Sequence, residues 1–316
     1  MITRRQHRFF AGLLAVWATA LLVKTAAAAD DIPGEKIEAV SGRVSPDYVR
    51  TKLADGSFQP ETYAFGKGGY WSGNRKDDTI DKMGFMDVAT IIAGPLQKQK
   101  YIPAKDPKAT KLMIMVYWGT TRAPEHASDS NGYKELADAN QTLNQLWPEH
   151  LQHDLYGNSK LPPANDLAAW RAFDEQSTAI AMVQAENRMR DNEDRRNATM
   201  LGYDSWWDAT YNAQNGTPLE VRKQDMINEL EGDRYFVVLM AYDFQLMWKQ
   251  KKTKLLWETR FSISEHKNQF DKQLESMALE ASRYFGQDSG GLTHASLPEG
   301  RVELGDVRSL GVVPEK

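Results

Sequence analysis

The strongest constraint on the fold is an alternation of side chains near the C-terminus. Over residues 255–263 the large apolar residues fall on alternate positions, so Trp257 and Phe261 should point to the same side. A period of two is typical of a β-strand with one buried face. The preceding run, residues 235–248, is strongly β-prone, and the polar residues 249–252 between the two predict the turn of a β-hairpin.

A one-sided helix should follow this hairpin. From Phe270 to Phe285 the apolar residues recur at spacings of three and four, which places them along one face of an α-helix. Gly286 is suited to end that helix, because glycine readily takes the left-handed backbone of a C-cap. A one-sided strand and a one-striped helix must both bury their apolar surface, so we expect them to pack on each other.

Another helix and two strands are predicted between residues 61 and 118. Residues 61–65 are a short strand candidate, and the apolar run 112–118 predicts a strand buried on both faces. Between them, residues 85–96 carry apolar side chains at helical spacing. Pro95 lies within this helix, and we expect a kink or a break there because proline removes an amide donor and clashes with the preceding turn.

Residues 66–75 are glycine-rich and are predicted to form a loop that holds Tyr70 and Trp71. A loop between a strand and a helix is a common place for phosphate binding. The segment matches neither G-x-x-x-x-G-K-[ST] nor G-x-G-x-x-G, the spacings that phosphate loops use. We therefore interpret it as a turn that the two aromatic residues anchor.

The middle of the chain differs in character from both flanks. Residues 119–230 carry amphipathic helical patterns separated by prolines, which predicts a large, mostly helical insertion. The predicted fold class is α/β with α+β layering, a mixed β-sheet that carries two main helices and is interrupted by this insertion. The predicted segments are a signal peptide (1–29), an extended lead-in (30–60), the two parts of the α/β domain (61–118 and 231–286) and a C-terminal tail (287–316).

The first 29 residues have the pattern of a secretory signal peptide. Three arginines within residues 4–8 precede an unbroken apolar run over residues 9–23, and Ala27-Ala28-Ala29 supplies a small-residue cleavage site. As a helix, the fifteen apolar residues span about 22 Å, less than the roughly 30 Å of a bilayer's hydrocarbon core. We therefore expect cleavage, a periplasmic or secreted location, and no stable membrane insertion of the mature chain.

The absence of cysteine and the net charge exclude several kinds of protein. Without cysteine the chain has no disulfide, no thiol nucleophile, no thiolate metal site and no lipid attachment after a signal peptide. The leader holds four basic residues and no acid, so 35 basic residues remain against 43 acidic ones, a formal charge of about −8. That balance argues against nucleic acid or anionic lipid as the main partner, although a local basic patch remains compatible with it.

Four segments and the order of elements carry a resemblance to a known class of domain. The segments are TYAF (62–65), GPLQKQKYIPA (94–104), LMIMVYWG (112–119) and LLWETRFSI (255–263), with a helix that ends at Gly286. Residues 61–118 and 233–286 resemble small α/β domains of bacterial cell-envelope proteins, among them the N-terminal domain of the Tol-system propeller protein and the curli-secretion lipoprotein. The resemblance implies a layered α/β fold and transfers no active site. Many of those proteins are lipidated, and this cysteine-free chain departs from them there.

His150 and His153 are the candidate metal ligands of this sequence. Two histidines three positions apart in a helix lie on neighbouring sides and can face one ion. The His-Glu-x-x-His arrangement is absent, so a third ligand would have to come from elsewhere, with His126 and Asp154 as the candidates. The alternative is a polar helix start with exposed histidines. We predict neither a catalytic residue nor a cofactor.

Aromatic residues supply the candidate ligand-binding positions. Tyr203, Trp206 and Trp207 form one group, and Tyr70 and Trp71 form another. Aromatic side chains are good anchors for a sugar or a peptide because they offer large rigid area beside polar atoms. The same residues also serve to pack an insertion onto a core, so both roles stay open.

Three functions remain compatible with these features. The preferred one is a non-enzymatic, exported cell-envelope protein that binds a partner protein or ligand, or assembles with it, through the helical insertion. The first alternative is a periplasmic hydrolase, with a metal held by His150 and His153 if one is needed. The second is a carbohydrate- or peptide-binding module that uses Trp206 and Trp207.

Overall fold

A computed structural model describes residues 36–126, 129–148, 161–210 and 212–297. Within those residues the chain forms a mixed α/β structure of seven strands and eight α-helices. The strands are β1 (Lys36–Val44), β2 (Glu61–Trp71), β3 (Tyr101–Pro103), β4 (Leu112–Thr120), β5 (Arg234–Asp243), β6 (Leu255–Ser264) and β7 (Leu292–Leu297). The helices are α1 (Asp78–Asp81), α2 (Phe85–Lys98), α3 (Asn131–Leu146), α4 (Leu167–Leu201), α5 (Asp204–Thr210), α6 (Pro218–Leu230), α7 (Phe244–Gln250) and α8 (Phe270–Ala281).

All seven strands belong to one mixed sheet, in the order β3-β2-β4-β5-β6-β1-β7. The pairs β2–β3 and β2–β4 are parallel, and every other neighbouring pair is antiparallel. This confirms the predicted fold class, a mixed sheet with helices layered on it. The β5–β6 hairpin lies at the centre of the sheet, so the segment with the clearest sequence pattern forms the middle of the structure.

The main core lies on one face of the sheet, beneath α2 and α8. Trp257 and Phe261 both point into it, and each is 1% exposed, as their alternation in the sequence predicts. The buried residues of α8 run from Phe270 to Ala281, and Phe285 in the following turn is buried with them. Gly286 takes a left-handed backbone with φ of 71° immediately afterwards. The packing of hairpin on helix is therefore confirmed.

The opposite face of the sheet is covered as well. The C-terminal part of α4, together with α5 and α6, packs over β5, β6 and β1 and forms a second core cluster around Tyr203 and Phe236. The expectation that the strand at residues 255–263 buries one face only is wrong, because Glu258 and Ser262 on its polar side are 7% and 0% exposed. Both side chains accept hydrogen bonds beneath the helices, Ser262 from Arg234 and Glu258 from Arg260. The polar side of this strand therefore does not face solvent.

The remaining part of the insertion forms an arm, which we define as α3 with residues 167–189 of α4. Its two helices pack against each other around a small core of their own, formed by Leu143, Trp147, Ala169 and Ala172. Helix α4 has 35 residues and is therefore roughly 50 Å long. One helix thus serves two parts of the molecule, the cover of the sheet at its C-terminal end and the arm at its N-terminal end.

The glycine-rich segment predicted as a loop is a strand instead. β2 runs unbroken through residues 66–71, with an irregularity in its pairing to β4 between Lys67 and Gly69. The glycines make room for the neighbouring strand, since a Cβ on Gly66 would lie 2.3 Å from Met115 Sδ and one on Gly68 would lie 2.5 Å from the ring of Tyr117. Glycine here permits close packing of side chains across the sheet rather than a turn.

Four elements also differ in extent from the sequence prediction. β1 and β7 lie within the predicted lead-in and tail and form one side of the sheet. β5 ends at Asp243, whose carboxylate accepts a hydrogen bond of 2.9 Å from Leu246 N and so begins α7. α2 continues through Pro95 to Lys98, so of the expected kink or break the break is wrong: proline removes one hydrogen bond of the ladder, and the helix continues on the remaining bonds.

Glu38 on β1 is a buried carboxyl without a hydrogen-bond partner among the described residues. Burial raises its pKa well above the ordinary value of 4.5, and the charges of Arg283 and Arg234 oppose that shift only in part. A group with a raised folded-state pKa gives its full stability below the unfolded pKa and loses it as the pH rises through the folded pKa.

We therefore expect Glu38→Gln to stabilise the protein increasingly as the pH rises above 4.5. In the window between the two pKa values, the gain over the parent should grow by about 1.4 kcal/mol per pH unit. Denaturant unfolding of parent and variant across this pH range measures the difference. A constant difference at every pH contradicts the account.

Candidate functional site

Tyr203, Trp206 and Trp207 meet on the second face of the sheet, where α4 turns into α5. Gly202 ends α4 with a φ of 85°, and a Cβ there would lie 2.6 Å from Ser41 Cβ on β1, so only glycine permits this close turn. Tyr203 is completely buried, whereas the two tryptophans are partly buried and pack against the second core cluster.

A partly buried carboxylate, that of Glu229 near the end of α6, lies beside these aromatic residues. His294 on β7 approaches it with Nε2 3.1 Å from Oε1, and the Tyr203 hydroxyl donates a hydrogen bond to Oε2. Arg234, at the start of β5, places Nη1 3.6 Å from Oε2. Arg234 is itself oriented by Ser262, whose hydroxyl and carbonyl oxygens each accept a hydrogen bond of 3.2 Å. We call Glu229 and the three residues that contact its carboxylate, Tyr203, Arg234 and His294, the Glu229 cluster.

Trp206 stands at the edge of this cluster. Its ring centroid is 5.5 Å from that of His294 and 6.4 Å from that of Tyr203. The guanidinium of Arg222 on α6 lies 5.6 Å from the same ring, within the range of a cation–π contact. The half-buried indole therefore contacts both a cation on α6 and an imidazole on β7.

The electrostatics of the cluster favour the ionised form of Glu229. Burial acts to raise its pKa, but the hydrogen bond to His294, the charge of Arg234 and the hydrogen bond from Tyr203 together lower the pKa below the ordinary value of 4.5. Burial, opposed by the charge of Arg234, raises the pKa of the Tyr203 hydroxyl, which therefore stays protonated as a donor. The cluster thus holds an ionised carboxylate that accepts a hydrogen bond from a protonated hydroxyl.

This arrangement can do two things. It joins β7 to α6 through the contact of His294 with Glu229, and to α5 through the ring contact of His294 with Trp206. It also presents a partly exposed carboxylate and imidazole beside the ring of Trp206. A polar ligand group can bind there, with the indole as a stacking surface. Among the residues that the structure describes, no group of three or more His, Asp or Glu residues is placed to hold a metal ion.

Replacement of Glu229 by glutamine should remove part of the acid sensitivity of the protein. The lowered folded-state pKa means that Glu229 stabilises the fold above its unfolded pKa and loses that contribution as the pH falls through the folded pKa. We expect Glu229→Gln to cost about 1–3 kcal/mol near neutral pH and less at about pH 3. Urea midpoints at the two pH values measure this, and an equal cost at both contradicts it.

Tyr70 and Trp71, the second aromatic pair, point to opposite faces of the sheet because they are consecutive residues of β2. The Tyr70 ring lies 5.7 Å from that of Trp118 in the main core, and its hydroxyl donates to Asp81. The Trp71 ring lies 5.6 Å from that of Tyr117 on the second face. Both side chains are more than a third exposed. The two side chains therefore do not form one surface. Among the described residues, neither ring contacts the Glu229 cluster.

His150 and His153, the metal candidates, lie outside the residues that the structure describes. No helix in residues 36–126, 129–148, 161–210 or 212–297 combines the length and the apolar character that crossing a bilayer requires.

Comparisons with known proteins find a structural neighbour but no matching family model. No family model matches the sequence, and no curated protein matches it. Among solved structures, it is similar to a PDZ domain protein from Parabacteroides distasonis, with 11% sequence identity and a TM-score of 0.31. The match covers 82% of this chain and 39% of that protein, so the chain spans about two fifths of the length of that relative. A likeness of this size carries no argument about the function.

The sequence pointed to Tyr203 and Trp206 but not to the charged residues beside them. Arg234 carried a signal, because an arginine at the start of an apolar run enters a buried strand and needs a partner there. Glu229 and His294 carried none, since they are 65 positions apart and meet only through the order of strands.

Proposed function

We propose that this chain is an exported, non-enzymatic protein of the bacterial cell envelope and that its arm binds another envelope protein. One observation carries the proposal: the arm contributes nothing to either core of the sheet, although ordering its residues costs conformational entropy. An ordered element that the fold does not need is best explained by a partner that does need it.

The arm is held rigid by polar contacts between its helices. Glu186 on α4 accepts hydrogen bonds of 2.8 Å from Ser130 Oγ and 3.0 Å from Gly132 N, where α3 begins. Further along, Gln176 Nε2 donates to Asn140 Oδ1 at 2.7 Å. A pre-organised arm loses little freedom when it binds, which favours affinity.

The surface of the arm also carries large apolar side chains without cover in the described structure. Leu167 and Met189 are each 65% exposed, and Ile180 is 39% exposed. They are distributed along the length of α4, so a partner could contact the arm at several points. The predicted signal peptide supports an envelope location, because its small-residue site precedes Asp30 directly.

A photo-reactive amino acid at Ile180 or Met189 tests this function in intact cells. Leu279 on α8, which is 44% exposed and belongs to the other side of the sheet, is the matched control. We expect a discrete cross-linked species from the arm positions, none from the control, and an intact mass for the uncrosslinked chain that begins at Asp30. Equal cross-linking at all three positions, no species from the arm, or a mass that retains residues 1–29 contradicts the proposal.

A second candidate function is favoured by the Glu229 cluster, namely binding of a carbohydrate or a peptide beside Trp206. The half-buried indole and the adjacent imidazole and carboxylate are the groups that such ligands use. Retention on immobilised glycans, compared between the parent and Trp206→Ala, tests it. Retention that depends on Trp206 supports this function, and no retention of the parent on any glycan or peptide column excludes it.

A further inference from the structure

Lysines gather at the end of the sheet where β4 and β6 begin and β5 ends. The loop before β4 is bonded to α7: Phe244 N donates to Lys111 O at 2.9 Å, and Gln245 Nε2 donates to Pro107 O and Thr110 O at 2.8 Å each. Residues 105–111 and 244–254 therefore form one continuous surface, which we call the lysine surface.

This surface is strongly basic on a chain that is acidic as a whole. Residues 105–111 and 244–254 contain seven lysines and one acidic residue, Asp106. Lys254 forms an ion pair of 2.8 Å with Asp47. The other six lysines are exposed and have neither an ion pair nor a side-chain hydrogen bond among the described residues. Their positive charge is thus not neutralised within the described structure.

Apolar side chains accompany the charge. None of the residues of α7 is buried, although the helix carries Phe244, Leu246, Met247 and Trp248. The indole of Trp248 is 41% exposed and stacks on Phe244 with ring centroids 6.2 Å apart. A short amphipathic helix with a half-exposed tryptophan, followed at once by lysines, has the chemistry of an interfacial segment.

Lys251 has an unusual backbone conformation. Lys251 caps α7 with a φ of 57°, in the left-handed region that favours glycine. A lysine that occupies this position costs more backbone energy than a glycine would. Replacement of Lys251 by glycine therefore removes the positive charge without a cost in backbone strain.

We propose that the lysine surface docks the protein onto an anionic lipid bilayer. The lysines contact the headgroups, and Trp248 enters the interface while the sheet remains in water. Each lysine near such a surface strengthens binding by about fivefold, the equivalent of roughly 1 kcal/mol. The positive charge of the lysines favours an anionic surface. The apolar side chains of α7 favour lipid over nucleic acid, because nucleic acid offers no apolar interior.

Vesicles of equal parts phosphatidylglycerol and phosphatidylcholine are the probe, with vesicles of phosphatidylcholine alone as reference. We expect the mature chain to sediment with the anionic vesicles and not with the neutral ones. Binding should fall when the ionic strength rises from about 0.01 M to about 1 M, which shortens the Debye length from about 30 Å to about 3 Å. The triple variant Lys249→Gln, Lys251→Gly and Lys252→Gln should bind on the order of 100-fold more weakly.

The matched control removes the same charge at the opposite end of the sheet, through Lys76→Gln, Lys267→Gly and Lys272→Gln. Lys267 has a φ of 60°, so both glycine substitutions meet the same backbone geometry. The control should bind as the parent does. Trp248→Ala should weaken binding by a factor that does not depend on ionic strength, because its contribution is apolar. Equal loss in the control, binding to neutral vesicles alone, no binding at all, or tighter binding to a labelled oligonucleotide than to vesicles overturns the proposal.

Discussion

Replacement of Trp257 by alanine should lower the free energy of unfolding by about 3–5 kcal/mol, the range for an aromatic side chain deleted from a packed core. Trp257 is 1% exposed at the centre of the sheet. Its ring stacks on that of Phe285, with centroids 6.0 Å apart, and lies 5.7 Å from the ring of Tyr101. The substitution therefore removes contacts to Phe285, in the turn after α8, and to Tyr101 on β3, and it leaves a cavity between these two residues.

Trp248→Ala is the matched control for this substitution. It deletes the same side chain from a position that is 41% exposed, where the expected loss is below about 1 kcal/mol. Parallel denaturant curves compare the two variants. Losses of similar size would mean that the register of β6, and the main core built on it, is wrong.

Replacement of Glu258 by alanine should cost about 2–3 kcal/mol, although its position on the polar side of β6 suggests a small effect. Glu258 is 7% exposed, with Oε2 3.0 Å from Arg260 Nη2. Arg260 in turn donates to the carbonyls of Thr199 and Met200 at the end of α4. Loss of the carboxylate leaves a largely buried guanidinium with fewer partners, and breaking a buried pair in this way costs about 3–5 kcal/mol when no water reaches it.

Two further substitutions separate the ion pair from the general effect of truncation. Glu275→Ala removes the same side chain from an exposed position of α8 and should change the free energy of unfolding by less than about 0.5 kcal/mol. Glu258→Gln keeps the shape and one hydrogen-bond acceptor and should lie between the other two. A Glu258→Ala loss no larger than that of Glu275→Ala contradicts the packing of α4 on this face.

The sequence predicted the β5–β6 hairpin and α8 because their signals are local. The period of two in residues 255–263 and the spacing of apolar residues along α8 each reflect the packing of apolar side chains into the main core. Long-range pairing has no such signal. β1 joins the sheet between β6 and β7, which are distant from it in sequence, so the segment 36–44 read only as extended chain.

The second face could not be foreseen for a different reason. Its sheet residues include Glu258, Arg260 and Ser262, which are polar because they bond to each other and to the ends of covering helices. A polar residue that is satisfied inside a protein looks, in the sequence, like a residue that faces water. The same ambiguity hid Glu229 and His294, whereas the aromatic residues beside them were visible as candidates.

The central physical claim is that the arm and the sheet are separable, so that the arm is retained for a partner. The chain enters and leaves the arm at neighbouring points, because Arg190 Nη2 donates to Glu125 O at 3.1 Å. A short glycine linker can therefore join residue 126 directly to residue 190.

Denaturant unfolding of this arm-deleted chain tests the claim most directly. The sheet, both of its cores and the Glu229 cluster remain in the variant. We expect one cooperative transition with a free energy of unfolding within about 2 kcal/mol of that of the full chain. Loss of the cooperative transition, or a decrease of more than about 4 kcal/mol, would show that the arm is part of the fold and would contradict the account.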